Sequence, residues 1–195
     1  MVTLEEHIYN SSINAPNKTA LIHNQKSYTY KELFQNIWST KLFLEKEYGI
    51  IKGDSIILAA NKNVGFIFSY FAIHLIGAKV LPIDEQIPVD RLNYVLEEAI
   101  PKLIIGLQNK TNDFNVIRFD KLNDLEKSKI PSSIKFPNID NDADIIFTTG
   151  TTGSPKGVVL TNKNIIESAN NINSFIGNTS DDTELLAMPI SHSFG

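Results

Sequence analysis

Between Phe147 and Val159 the chain reads FTTGTTGSPKGVV. Its central ten residues, Thr148 to Gly157, hold three glycines, four threonines, a serine, a proline and one lysine. Such a segment offers backbone amides, hydroxyls and a single cation, and the chemistry suited to that set is a grip on polyphosphate. Gly150, Gly153 and Gly157 permit close backbone approach and positive φ, so that successive N–H groups can converge on one anion. Thr148, Thr149, Thr151, Thr152 and Ser154 add hydroxyl donors that rotate to meet different oxygens. Lys156 supplies a point charge on a flexible stem. The plain alternative is a hairpin turn, since most Gly/Thr-rich loops only connect strands. The loop is not a Walker A motif, because Lys156 is followed by Gly157 and the strand-like VVLT rather than by Ser or Thr opening a helix. Nor does any G-x-G-x-x-G dinucleotide fingerprint occur in the chain.

Other residues carry weaker chemical signals. His192 lies in MPISHSFG, whereas His7, His23 and His74 have no motif around them. His74 sits in an apolar helical stretch and is expected to be packed, with one hydrogen bond. Asp84 ends a strand-like KVLPID, where it would shape the following turn, and Arg91 would tie down the next helix. Asp142 and Asp144 have the side chains of metal ligands, but a solvated turn is the commoner use of such residues, and no metal site is assigned.

The elements that must position these residues follow from patterning. TLEEHIYNSSI begins with a Thr3–Glu6 capping-box pair and reads as a short helix. TALIH and KSYTY, separated by Asn-Gln, read as a hairpin. A helix follows from TYKEL, with apolar Leu33, Ile37, Phe43 and Leu44, and Gly49 at its C-cap. Then come the strand DSIILAA, a helix over Asn63 to Ile76, the strand KVLPID, the helix PVDRLNYVLEEA, and the strands KLIIG and NVIRF. Asp120 to Asp144, polar and with Pro131 and Pro137, reads as a long connection. Strand, loop and strand follow, then the helix NKNIIESANNINSF and a last strand, TELLAMPI. This order predicts an α/β fold with a mostly parallel sheet flanked by helices.

Composition sets the outer limits. Hydrophobic residues make up 42% and charged residues 21% of 195, as in ordinary globular domains. A net charge of −4 argues against a dedicated nucleic-acid or anionic-membrane binder. Zero cysteines exclude disulfides, thiolate metal sites and a cysteine nucleophile, which fits a reducing cytoplasm. The acidic N-terminus does not read as a targeting peptide. Asn63 to Ala78 is strongly apolar but too short for a membrane span, and it contains Ser69, Tyr70 and His74. The end at Gly195, straight after MPISHSFG, is expected to fall inside something longer.

FTTGTTGSPKGVV resembles the phosphate-binding signature of the adenylate-forming (AMP-dependent synthetase/ligase) superfamily. Its members include acyl-CoA synthetases, adenylation domains of nonribosomal peptide synthetases and luciferase-like ligases. Three further stretches resemble family motifs in the family's order: YTYKEL (Tyr28 to Leu33), HLIGAKVLPIDEQIPVDRLNYVLEEA (His74 to Ala99) and MPISHSFG (Met188 to Gly195). The family's later motifs, including its ribose-binding aspartate and its C-terminal catalytic lysine, are absent from this sequence. The resemblance therefore implies that 1–195 is the incomplete N-terminal portion of a large adenylation domain, inactive by itself. The intact protein would be an ATP-dependent ligase, with magnesium implied, that joins a carboxylic acid to AMP. It would then pass the acyl group to coenzyme A or a carrier-protein thiol. Thr148 to Ser154, Lys156 and Gly157 would hold the ATP phosphates, and His192 would orient or gate at the reacting carboxylate. A truncated, non-catalytic protein that binds a nucleotide or a partner is the alternative.

Overall fold

The computed structural model describes residues 1–107, 114–148, 155–187 and 190. Helix α1 (Leu4–Asn14) starts at Thr3, whose hydroxyl accepts the Glu6 amide. Strands β1 (Thr19–His23) and β2 (Lys26–Thr29) form the expected hairpin. Its two turn residues, Asn24 and Gln25, both have positive φ, as the tightest hairpin turn demands. Thr29 then caps α2 (Tyr30–Tyr48) with a full capping box: the Glu32 carboxylate accepts the Thr29 amide at 2.8 Å, and the Thr29 hydroxyl accepts the Glu32 amide at 3.2 Å. Gly49 closes that helix in the left-handed conformation.

The main sheet has six strands: β3 (Ser55–Ala60), β4 (Lys79–Asp84), β5 (Leu103–Ile105), β6 (Val116–Ile117), β7 (Asp142–Phe147) and β8 (Gly157–Thr161). Their spatial order is β6-β5-β3-β4-β7-β8, all neighbours pairing in parallel except the antiparallel β7–β8 hairpin at one edge. Helices α3 (Val64–Ile76) and α4 (Val89–Ala99) are the crossovers on either side of β4. Alternation along the strands sends side chains to two cores. Ile56, Leu58, Val80, Leu103 and Ile105 join α2 and α3 on one face, while Ile57, Ala59, Leu81 and Ile104 join α4 on the other. Burial on both faces is why these strands read as continuous apolar runs.

Three expectations need correction. NVIRF supplies only the two residues of β6, because Phe119 begins a short helix, α5 (Phe119–Asn123), whose ring packs over Gly106 at the end of β5. A Cβ on Gly106, which has φ +87, would lie 2.2 Å from that ring. The connection expected over Asp120 to Asp144 is therefore shorter, since α5 and β7 take its two ends. It is also fastened to the core: Leu125, Ile130, Ile134 and Phe136 pack on the first cluster, and the Ser39 hydroxyl accepts the Ser128 amide at 2.8 Å. Finally, residues 183–187 of the expected last strand pair with no described strand, and Leu185 is 90% exposed. A strand needs a ladder partner, and an apolar run alone does not supply one. The helix after β8, α6 (Asn162–Ile176), forms as expected with Thr161 as its cap. No helix among the described residues is long and apolar enough to cross a membrane.

Candidate functional site

The strands β3, β4, β5 and β7 run the same way, so their carboxyl ends share one edge of the sheet. Ligands of open α/β sheets collect at that edge. The Thr148–Gly157 segment leaves it from the end of β7. Its neck is closed by backbone pairing: Thr148 N–H donates to the Lys156 carbonyl at 2.9 Å, and the Thr148 hydroxyl faces the Lys156 amide at 3.4 Å. Both ends of the loop are thus held one hairpin width apart. Gly157 opens β8 opposite Phe147, without positive φ, so its contribution is strand packing against Ile145 and Phe147. The Lys156 side chain is exposed and forms no ion pair among the described residues. Thr149, Gly150, Thr151, Thr152, Gly153, Ser154 and His192 lie outside the described residues.

A residue that the sequence did not flag anchors the loop's exit. Tyr94, on α4, donates its hydroxyl to the Pro155 carbonyl at 2.9 Å and sets its ring edge-on to Phe147. No motif logic links position 94 to 155; only the packing of α4 against the sheet brings them together. Next to this anchor, a cleft of about 400 Å³ opens between the ends of β4 and β7 and the start of α4. Asp84, Gln86, Arg91, Ile146 and Phe147 help to line it. Asp84 shapes the turn as expected, accepting the Gln86 amide at 2.8 Å. Arg91 does not tie the helix by an ion pair among the described residues; it faces the cleft. On the neighbouring strand end, Asn61 donates to Glu85 at 3.0 Å.

Behind β7 the reading of two residues changes. Asp144 is not in a solvated turn: it is a buried residue within β7, while Asp142 is the exposed first residue of that strand. His74 makes two contacts, with Asp144 through Nε2 at 2.9 Å and with Glu5 of α1 through Nδ1 at 3.2 Å. The Tyr70 hydroxyl donates to the other Asp144 oxygen at 2.9 Å. Burial alone would lower the His74 pKa, but hydrogen bonds to Asp144 and Glu5, and their charges, overcome this and raise it to about 9. The Tyr70 hydroxyl is pushed well up, first by burial and then by the Asp144 charge. The sequence signal for this cluster was the presence of titratable residues in otherwise apolar elements.

Among the described residues no three His, Asp or Glu side chains gather where they could hold a metal ion.

Residues 10–195 match the family model described as AMP-binding enzyme. Delta-poly-L-ornithine synthetase of Acinetobacter baumannii is 34% identical over 167 residues, 83% of this chain and 12% of that protein. Enterobactin synthase component F of Escherichia coli O157:H7 is 31% identical over 168 residues, 81% of this chain and 12% of that protein. Among solved structures, the N-terminal subdomain of Klebsiella oxytoca NpsA, bound to 3-hydroxybenzoyl-AMSN, superposes with TM-score 0.85 at 22% identity, covering 98% of this chain and 49% of that one. The Bacillus subtilis o-succinylbenzoate CoA synthetase in complex with its acyl-adenylate intermediate also gives 0.85, at 23% identity, with 98% and 50% covered. The chain thus spans about half of those solved chains and a small part of the curated relatives.

Proposed function

This chain belongs to the AMP-binding enzyme family, and on that premise we propose that it is the phosphate-gripping N-terminal portion of an AMP-forming carboxylate ligase. A substrate carboxylate oxygen attacks the α-phosphorus of ATP. The bond from that phosphorus to the bridging oxygen breaks, and pyrophosphate leaves with the electron pair. The acyl-adenylate then reacts with the thiol of coenzyme A or a carrier protein, releasing AMP and forming a thioester.

The difficulty of the first step is electrostatic, because an anion approaches a polyanion and further charge develops on the leaving group. Fixed donors aimed at that charge are the remedy, since they need no reorganisation as the reaction proceeds. The Thr148–Gly157 loop supplies amides and hydroxyls for this purpose, with Lys156 as the cation. His192 orients or gates the reacting carboxylate. The observation that carries the proposal is the closed neck at the carboxyl edge: Thr148 N–H donates to the Lys156 carbonyl, so the two ends of the segment are fixed one hairpin width apart next to the cleft.

Isotope exchange between pyrophosphate and ATP tests this in the intact protein. Amino acids belong in the carboxylate panel because a relative is a poly-L-ornithine synthetase, and aryl acids because NpsA binds a hydroxybenzoyl compound. Exchange that depends on at least one carboxylate is expected. Exchange that needs no carboxylate, or ATP turnover to ADP and phosphate, contradicts the reading.

A further inference from the structure

The neck of the loop is attached to the rest of the molecule through β7. On its parallel side that strand is lightly laddered: Asp144 opposite Val80 is the one partner pair with β4 among the described residues. At that same residue a buried side-chain cluster takes hold. His74, on α3, is flanked by Asp144 of β7 and Glu5 of α1, and Tyr70 of α3 closes on the other Asp144 oxygen. Glu5 and His74 are almost wholly buried and Asp144 nearly so. Among the described residues neither carboxylate has another cation, and the second oxygen of Glu5 has no hydrogen-bond partner.

Proton counting makes this arrangement demanding. A neutral imidazole has one N–H, so one of its nitrogens would turn a lone pair towards a carboxylate oxygen. With both carboxyls ionised, the two contacts are satisfied together only when both ring nitrogens carry protons. Removing that proton leaves the imidazole a single N–H to share between two buried carboxylates, and one of its two contacts must open. Asp144 lies four residues before Thr148, on the order of 13 Å along the strand, with no bend between. Movement at Asp144 is therefore carried to the loop neck.

We propose that His74 is a positioning residue for the loop: its imidazolium pins β7 to α1 and so fixes where the Thr148–Lys156 neck stands. This rests on the loop being the phosphate grip. The raised proton affinity of His74 places the release of the pin in the alkaline range.

Two measurements on the intact protein test it, one of them independent of activity. The first follows the 13C shifts of the His74 ring and of the Thr148 and Lys156 Cα atoms between pH 6.5 and 10.5. The neck carbons should titrate with the ring, at one midpoint. Glu5→Gln, which removes one of the two charges holding the proton, should lower that common midpoint by about one pH unit. The second follows pyrophosphate exchange over the same range. The kcat/KM for ATP should fall about tenfold through the midpoint while kcat at saturating ATP changes less, and His74→Gln should lack the inflection. If His74→Gln does not fold, the Glu5→Gln shift decides. Neck carbons that stay still while the ring titrates overturn the inference, as does a midpoint unmoved by Glu5→Gln. If no carboxylate supports exchange, the reading of the loop fails, whereas a common midpoint for ring and neck still shows the pin itself.

Discussion

Asp144 is a carboxylate placed where its strand neighbours, Ala143 and Ile145, are apolar, and its two side-chain polar contacts, with Tyr70 and His74, come from residues 74 and 70 positions away in the chain. That separation is why the cluster was not legible in the sequence: residue types show that such groups need partners, and only the packed fold says which. By contrast, Asp84 was legible because its partner amide is two residues on. The cluster has a consequence for stability. The folded pKa of His74, about 9, lies above its ordinary value of 6.5, so its contribution is complete below pH 6.5 and is lost as pH rises through 9. Urea unfolding should therefore show stability declining between pH 7 and 10, by roughly 3 kcal/mol, with the decline absent in His74→Gln. Equal slopes for both proteins would remove the linkage. Tyr94 makes a second case at this scale. Tyr94→Phe deletes the hydrogen bond to Pro155 and nothing else in the packing, a loss of about 0.5–1.5 kcal/mol. The KM for ATP should rise two- to tenfold with the circular dichroism spectrum unchanged; an unchanged KM would separate the loop exit from nucleotide binding.

Elements were most legible where their determinants are local. The β1–β2 hairpin is set by two turn residues, and α2 by Thr29, Glu32 and Gly49, all of them readable in order along the chain. The Thr29–Glu32 exchange satisfies two of the orphan amides at the helix start, and the exposed Glu32 carboxyl is held below its usual range first by the Thr29 amide and then by its hydroxyl. Thr29→Ala should cost about 1 kcal/mol, read as a lower urea midpoint with unchanged slope. A loss within error would mean that burial of Leu33, Phe34 and Ile37 sets the helix start unaided. Where the determinant is a partner in space, the sequence was a poorer guide. NVIRF and TELLAMPI have strand composition alike, yet the first gains two residues of ladder beside β5 and residues 183–187 gain none. Phe119 starts a helix because its ring is drawn over Gly106, a contact that no window of local sequence contains.

For the whole molecule, alternation of strands and helices predicted the mostly parallel sheet but not its order. After β4 the chain passes back over β3 to form β5 and returns only at β7 to the other side of β4. That return brings Thr148, Pro155 and Lys156, the described ends of the glycine-threonine segment, to the carboxyl edge near Tyr94 and the cleft that Asp84 helps to line, so two stretches about 60 residues apart in the chain lie together. The motifs were legible as text; their convergence was a property of the sheet. A loop that holds the pyrophosphate leaving group makes a sharp demand on Lys156→Ala in the intact protein, assayed in the two half-reactions separately. The lost contact is charge-assisted and strengthens as charge develops on pyrophosphate, about 1.5–3 kcal/mol, so adenylation measured by pyrophosphate exchange should slow roughly ten- to a hundredfold. Thioester formation from preformed acyl-adenylate, which has no pyrophosphate left to hold, should stay near the wild-type rate. Equal losses in both half-reactions, or no loss in either, would contradict the account.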